Sequence, residues 1–154
     1  MNKTDRSISI IKQSIEISES IMPTIYDTRK KNRVFHFAFG FKKKQLIGIG
    51  LNRPEKPNHK ALKLSRKFKT SIKYPYLHAE TDLISRLWGK YYIDGSLKVV
   101  VLKLNKFNEI GNSKPCKRCM KILNSLGIHK IWWSSSKGGF SDINGNFICL
   151  NQIK

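Results

Sequence analysis

The sequence predicts an α/β domain of three layers, in which a central mixed sheet of about five strands is flanked by helices. Three observations carry that expectation. In 34–41, Phe35, Phe37, Phe39 and Phe41 point one way and Val34, His36, Ala38 and Gly40 the other, a period of two. One bulky and one small face on the same strand imply a sheet covered on both sides. Segment 97–104, Leu-Lys-Val-Val-Val-Leu-Lys-Leu, is apolar almost throughout, as suits a sheet centre. Between and before such runs lie stretches whose apolar residues recur at spacings of three and four, the period of a helix. With 154 residues and 40% hydrophobic content, 1–154 reads as one domain with a real core. It comprises an N-terminal helix and basic connection (1–33) and a basic loop insertion (53–77).

Taken in order, 7–22 is a helix with Ile8, Ile11, Ile15 and Ile21 on one stripe, and Pro23 is expected to end it. A polar connection follows, carrying Arg29, Lys30, Lys31 and Arg33. Lys42, Lys43 and Lys44 turn strand 34–41 into its partner 45–51, where Gly48 and Gly50 allow close packing. His36 reads as a hydrogen-bonded core or rim residue. A short helix over 60–67 is docked by Leu62 and Leu64. The next helix, 78–88, buries Leu83, Ile84, Leu87 and Trp88, and Gly89 permits its end. After the 97–104 strand and a loop over 106–113, Pro115 suits a first helical turn. Cys119, Ile122, Leu123 and Leu126 form the buried face of that helix, and Gly127 stops it. Strand 128–134 puts Trp132 and Trp133 on opposite faces, so at most one of them faces a substrate. Cys149, in the apolar run 147–150, reads as a small buried residue. Only about a dozen residues separate the Trp strand from 147–150, too few for a helical crossover, so the last strand is expected to be antiparallel.

The charge is unusual: thirty Lys and Arg against ten Asp and Glu give +20. Such a field attracts polyanions. Base bias in a genome raises lysine too, but does not by itself account for so few acids. In 53–77, Arg53, Lys63, Arg66, Lys67, Lys69 and Lys73 are the candidate phosphate contacts. Phe68, Tyr74 and Tyr76 are interleaved with them, and aromatic rings stack bases without sequence preference. A solvated basic loop is the plainer alternative. No run of 18 apolar residues and no signal-peptide core is present, and an odd count of three cysteines suits metal ligation over disulfides. The expected setting is reducing and cytoplasmic, away from membranes.

Two short stretches carry the chemistry. His78-Ala79-Glu80 supplies a histidine and, two residues on, a carboxylate. Pro115-Cys116-Lys117-Arg118-Cys119 supplies two cysteines at i and i+3. Catalytic zinc sites use three protein ligands and structural ones four. Both stretches begin helices, whose free N–H groups and partial positive charge favour the thiolate form that binds metal. Alternatives remain at this point: a structural zinc knuckle completed by His59 or His129, and a Glu80 that is an ordinary first-turn glutamate.

The pattern H-x-E followed by P-C-x-x-C resembles the signature of the zinc-dependent nucleobase deaminases, and the resemblance runs over about 35–134. It implies a cytidine-deaminase-like fold, Zn2+ on His78, Cys116 and Cys119, and Glu80 as general acid and base rather than ligand. It implies substrate contact at Asn52, near the end of the second strand, and at Ala79, Tyr76 and Trp132. A turn-forming asparagine is the other reading of Asn52. Relatives with a helix before the last strand carry that strand parallel, so the short connection here is a departure.

The implied reaction is hydrolytic conversion of cytosine to uracil. Attack on adenine uses the same parts, but the small chain most resembles the cytidine and deoxycytidylate branch. Single-stranded DNA or RNA is the expected substrate. The alternatives are a free nucleotide such as dCMP, or a non-catalytic nucleic-acid-binding module that uses the zinc fold as a scaffold.

Overall fold

The computed structural model describes residues 3–28, 34–53, 58–70 and 76–153. Its elements are α1 (Lys3–Thr28), β1 (Val34–Lys42), β2 (Gln45–Leu51), α2 (His59–Lys67), α3 (Ala79–Leu87), β3 (Leu97–Asn105) and β4 (Ile110–Gly111), followed by α4 (Lys117–Ser125), β5 (Lys130–Ser135), β6 (Gly139–Asp142), β7 (Phe147–Cys149) and α5 (Leu150–Ile153). The strands form one mixed sheet in the order β2-β1-β3-β5-β6-β7, with β4 paired to β3. β3 and β5 pair in parallel and α4 is the crossover between them; among the described residues the other strand pairings are antiparallel.

Two cores lie on opposite faces of the sheet. Against α1, the rings of Phe35, Phe37, Phe39 and Phe41 are fully buried with Ile10, Ile11, Ile15, Met22, Val100 and Leu102. Each such ring contributes on the order of 2–3 kcal/mol by leaving water. Against α2, α3 and α4, the small strand residues meet Leu83, Ile84, Leu87, Ile122 and Leu123. Here helix and strand approach to backbone distance. A Cβ on Gly50 would overlap the Ala79 carbonyl oxygen and stand 2.5 Å from the Leu83 amide nitrogen. Gly50 therefore seats the first turn of α3 on β2. Asp82, buried in that helix, fastens the same joint by accepting from the Leu51 N–H (3.0 Å) and from Arg86 Nε (2.9 Å).

The expected antiparallel last strand is present, but among the described residues the sheet has seven strands, not about five. The additions are β4, two residues long, and β6, formed around the Gly138 turn where the sequence shows turn residues with little apolar alternation. Helix α1 continues through Pro23, because Met22 is buried and Ile25 and Tyr26 pack beyond the proline on the same core. Pro115 is not in the first turn of α4; it precedes the cap residue Cys116. Trp88 is 43% exposed, for it caps the end of α3 and turns outward under Lys67 and the edge of Phe68. Cys149 is exposed, because β7 is an edge strand. Among the described residues, no helix is long and apolar enough to cross a membrane.

Candidate active site

Helices α3 and α4 both start at one end of the sheet, beyond the carboxyl ends of β2 and β3. That is where open α/β sheets place ligands. The residue capping α3 is His78 and the residue capping α4 is Cys116. Neither is a preferred cap; Ser, Thr, Asp or Asn serves a helix better. The structure compensates locally. Thr81 Oγ1 accepts from the His78 N–H and donates to the His78 carbonyl, both at 3.0 Å. Cys116 Sγ accepts from the Cys119 N–H at 3.5 Å.

A buried hydroxyl pair aims the cysteine loop. Ser134 Oγ accepts from the Lys103 N–H (3.1 Å) and donates to the Gly111 carbonyl (2.7 Å). Ser113 Oγ donates to Val101 O at 2.8 Å and lies 2.8 Å from Ser134 Oγ. The direct β3–β5 register runs only to Val101–Trp133, after which Ser134 reaches β3 through its side chain. Where the two strands part, the chain is led out through Ser113 to Pro115 and Cys116.

His78, Cys116 and Cys119 come together with their donor atoms within 4.8 Å of one another. His78 Nδ1 lies 3.5 Å from Cys116 Sγ and 3.4 Å from Cys119 Sγ. Zinc bonds of roughly 2.0 Å to nitrogen and 2.3 Å to sulfur at a tetrahedral angle require an N···S separation of about 3.5 Å. The donor set therefore fits zinc in spacing and chemistry, two thiolates balancing its charge. The Cys119 thiol hydrogen-bonds Cys116 and brings the Cys116 thiol down to about 3, while that same bond and burial push Cys119 well up.

Glu80 stands in the first turn of α3 and is 6% exposed. Burial raises its pKa; its own backbone amide, His78 and Arg118 pull the other way. A carboxyl so placed is suited to taking and returning a proton. Arg118, which the motif contains but sequence reasoning did not single out, ties the two halves of the site together. Its Nη2 donates to the Tyr76 carbonyl at 2.8 Å, and its charge acts on Glu80 and Cys119. A cation between two thiolate positions was the available signal.

Ala79 is fully buried in the first position of α3. Asn52 Oδ1 accepts from the His36 N–H at 3.0 Å, extending the β1–β2 ladder past β2. His36 lies on the same face and end, beside Lys103 and His78, and burial holds its imidazole down to about 4. Trp132 is elsewhere: it packs on the α1 face, whereas Trp133 packs with α3 and α4 and has Lys114 Nζ 5.8 Å from its ring. The alternation of β5 decides this, so Trp132 is not at the candidate site. Among the candidate phosphate contacts, Lys63, Arg66, Lys67 and Lys69 are exposed on or just after α2, and Arg53 Nε stands 4.0 Å from Asp82. Lys73 lies outside the described residues, as do Tyr74, Lys56 and Arg29 to Arg33.

No protein-family model and no curated protein matches the chain. Among solved structures it is similar to a dCMP deaminase from the cyanophage S-TIM5 in apo form, at 20% identity over 77% of this chain and 82% of that one, with a TM-score of 0.44. It is also similar to a cytidine deaminase from Mycobacterium leprae, at 18% identity over 80% of this chain and 91% of that one, with a TM-score of 0.43.

Proposed function

We propose that this protein is a zinc-dependent hydrolytic deaminase that converts cytosine to uracil, with single-stranded nucleic acid as its substrate. The observation that carries the reading is the buried Glu80 two residues from His78, beside a His/Cys/Cys donor set at tetrahedral spacing. A scaffold has no need of it, since keeping a carboxylate out of water is costly. When bound, zinc would supply the Lewis acidity that makes water a nucleophile near neutral pH. His78, Cys116 and Cys119 would hold it.

The remaining work falls to Glu80. It takes a proton from the attacking water as oxygen bonds to C4 of the ring. It passes a proton to N3, and then a proton goes to the exocyclic amine, which leaves as ammonia. Water and cytosine become uracil and ammonia, with no oxidant or reductant. The exposed cations on and just after α2, Lys63, Arg66, Lys67 and Lys69, favour a polynucleotide over a free nucleotide, whose phosphate would need one or two of them.

The test is product formation on a cytosine-containing single strand, read as uracil, beside dCMP at matched concentration. Glu80→Gln is expected to retain zinc and the fold while turnover falls by roughly 10²- to 10⁴-fold or more. Near wild-type ammonia release from that variant would sink the mechanism. Fast dCMP conversion with an untouched oligonucleotide would move the substrate to the free nucleotide and leave the chemistry standing.

A further inference from the structure

At the end of the sheet opposite the donor set, on the α1 face, the fold gathers positive charge. Lys98 of β3 and Lys130 of β5 are direct neighbours in the parallel register. Both have the facing of Val100 and Trp132, whose side chains pack toward α1. Like charges set side by side on adjacent strands are destabilising. Arg6, from the first turns of α1, and Lys44 also act on Lys98, and burial together with these cations holds its ammonium below the usual range. Lys98 Nζ is held in place by the Lys43 carbonyl at 3.0 Å. The fold thus keeps a cluster whose members repel one another.

Arg6, Lys98 and Lys130 line a groove of about 710 Å³. Its other wall is apolar and aromatic: Trp132 forms part of it, and Phe147 and Ile143 are 43% and 38% exposed. Among the described residues that line the groove, the one acid is Asp142. Its Oδ1 accepts from the Asn144 and Asn146 N–H groups and its Oδ2 from Asn146 Nδ2, each at 2.9 Å, so it is spent on closing the β6–β7 turn. A cationic track beside an exposed ring offers phosphate contacts on one side and a stacking surface on the other.

The geometry points to this groove as a second, non-catalytic binding site for single-stranded nucleic acid, with Arg6, Lys98 and Lys130 on the phosphates and Phe147 stacked on a base. It lies at the far end of the sheet from Glu80, so it would retain a strand without presenting a base for reaction. It needs neither zinc nor the proposed chemistry, and its failure leaves both intact.

The experiment measures binding of fluorescent oligo(dT) and oligo(rU) to the full chain across a salt series. Lys98→Ala/Lys130→Ala is expected to weaken binding on the order of tenfold in 0.1 M salt and to flatten the salt slope by about 1.4, two phosphate contacts at about 0.7 each. Zinc content and deamination of dCMP, if present, should not change. Phe147→Ala should weaken binding without changing the slope. In the unaltered protein, 5-iodouracil oligonucleotides should photocrosslink to the peptide carrying Trp132 or to that carrying Phe147. Unchanged affinity and slope in the double variant, with crosslinks confined to α2, would overturn the site. Equal displacement by inorganic polyphosphate, with no effect of Phe147→Ala, would overturn nucleic acid as its ligand. Lys130→Glu alone, at an exposed position, repeats the test should the double variant fail to fold.

Discussion

Toward α3 the strands present Ala38, Gly40, Gly48 and Gly50; toward α1 the same two strands present Phe35, Phe37, Phe39, Phe41, Ile49 and Leu51. On the first face helix backbone sits against strand backbone, and a misplaced atom has nowhere to go. On the second, side chains fill the gap and can share a disturbance among them. The candidate site hangs from the first face, because the cap residues of α3 and α4, His78 and Cys116, are two of its three candidate metal donors. Precision there comes from small residues, while bulk on the other face supplies burial.

The sharpest way to break this contrast is to add one carbon to the thin face and remove three from the thick one. Gly50→Ala puts a methyl into the α3 backbone and is expected to cost more than roughly 3 kcal/mol, with loss of bound zinc. Ile15→Ala, in the α1 core, should cost about 2 kcal/mol and leave zinc in place. Denaturant midpoints and metal content of the two variants decide the matter, and equal losses would end the distinction.

Acid should act on the thin face next. Folded His36 titrates at about 4, below the ordinary 6.5, so the unfolded chain takes up a proton first. Stability is therefore full above pH 6.5 and falls as pH drops toward 4, by at most about 3 kcal/mol. His36→Gln should flatten that part of the pH–stability curve. An identical slope in variant and parent would show that His36 is not responsible.

A smaller effect is expected at the strand fork. Ser134→Ala removes the hydroxyl shared by Lys103, Gly111 and Ser113, at about 1–3 kcal/mol. Because that hydroxyl anchors the loop leading to Cys116, zinc should also leave faster under chelator challenge. Unchanged release with lowered stability would confine its role to the fold.

The thick face offers an effect of opposite sign. Pro23 is exposed inside α1 and cannot donate to the preceding turn. Pro23→Ala should raise stability by about 1 kcal/mol, less than the intrinsic helix penalty of proline because the unfolded chain also gains freedom. A lowered thermal midpoint would mean that the proline shapes α1 against its core.

Much of this was legible in the sequence because it is local. Strand β1 follows from its four alternating phenylalanines, and the β1–β2 hairpin is bounded by its lysines. His78, Glu80, Cys116 and Cys119 stand out because chemistry demands those residue types at those spacings near helix starts. Strand β6 was not legible, since Gly-Phe-Ser-Asp has no pattern of its own and pairs only because β5 and β7 flank it. Cys149 reads as buried from its neighbours, yet an edge strand leaves it in solvent.

By itself the sequence determined the residue types of the candidate site, the helix starts that bear its donors, and the two-sided character of the sheet, for each depends on neighbours within a turn or a strand. Tertiary structure alone decided that His78 meets cysteines 38 and 41 residues away, that Trp133 and not Trp132 shares the face of α3, and that α1 runs on through Pro23. Those outcomes turn on which faces the packed layers cover. A local pattern announces that a face exists, and only the partner packed against it determines what that face does.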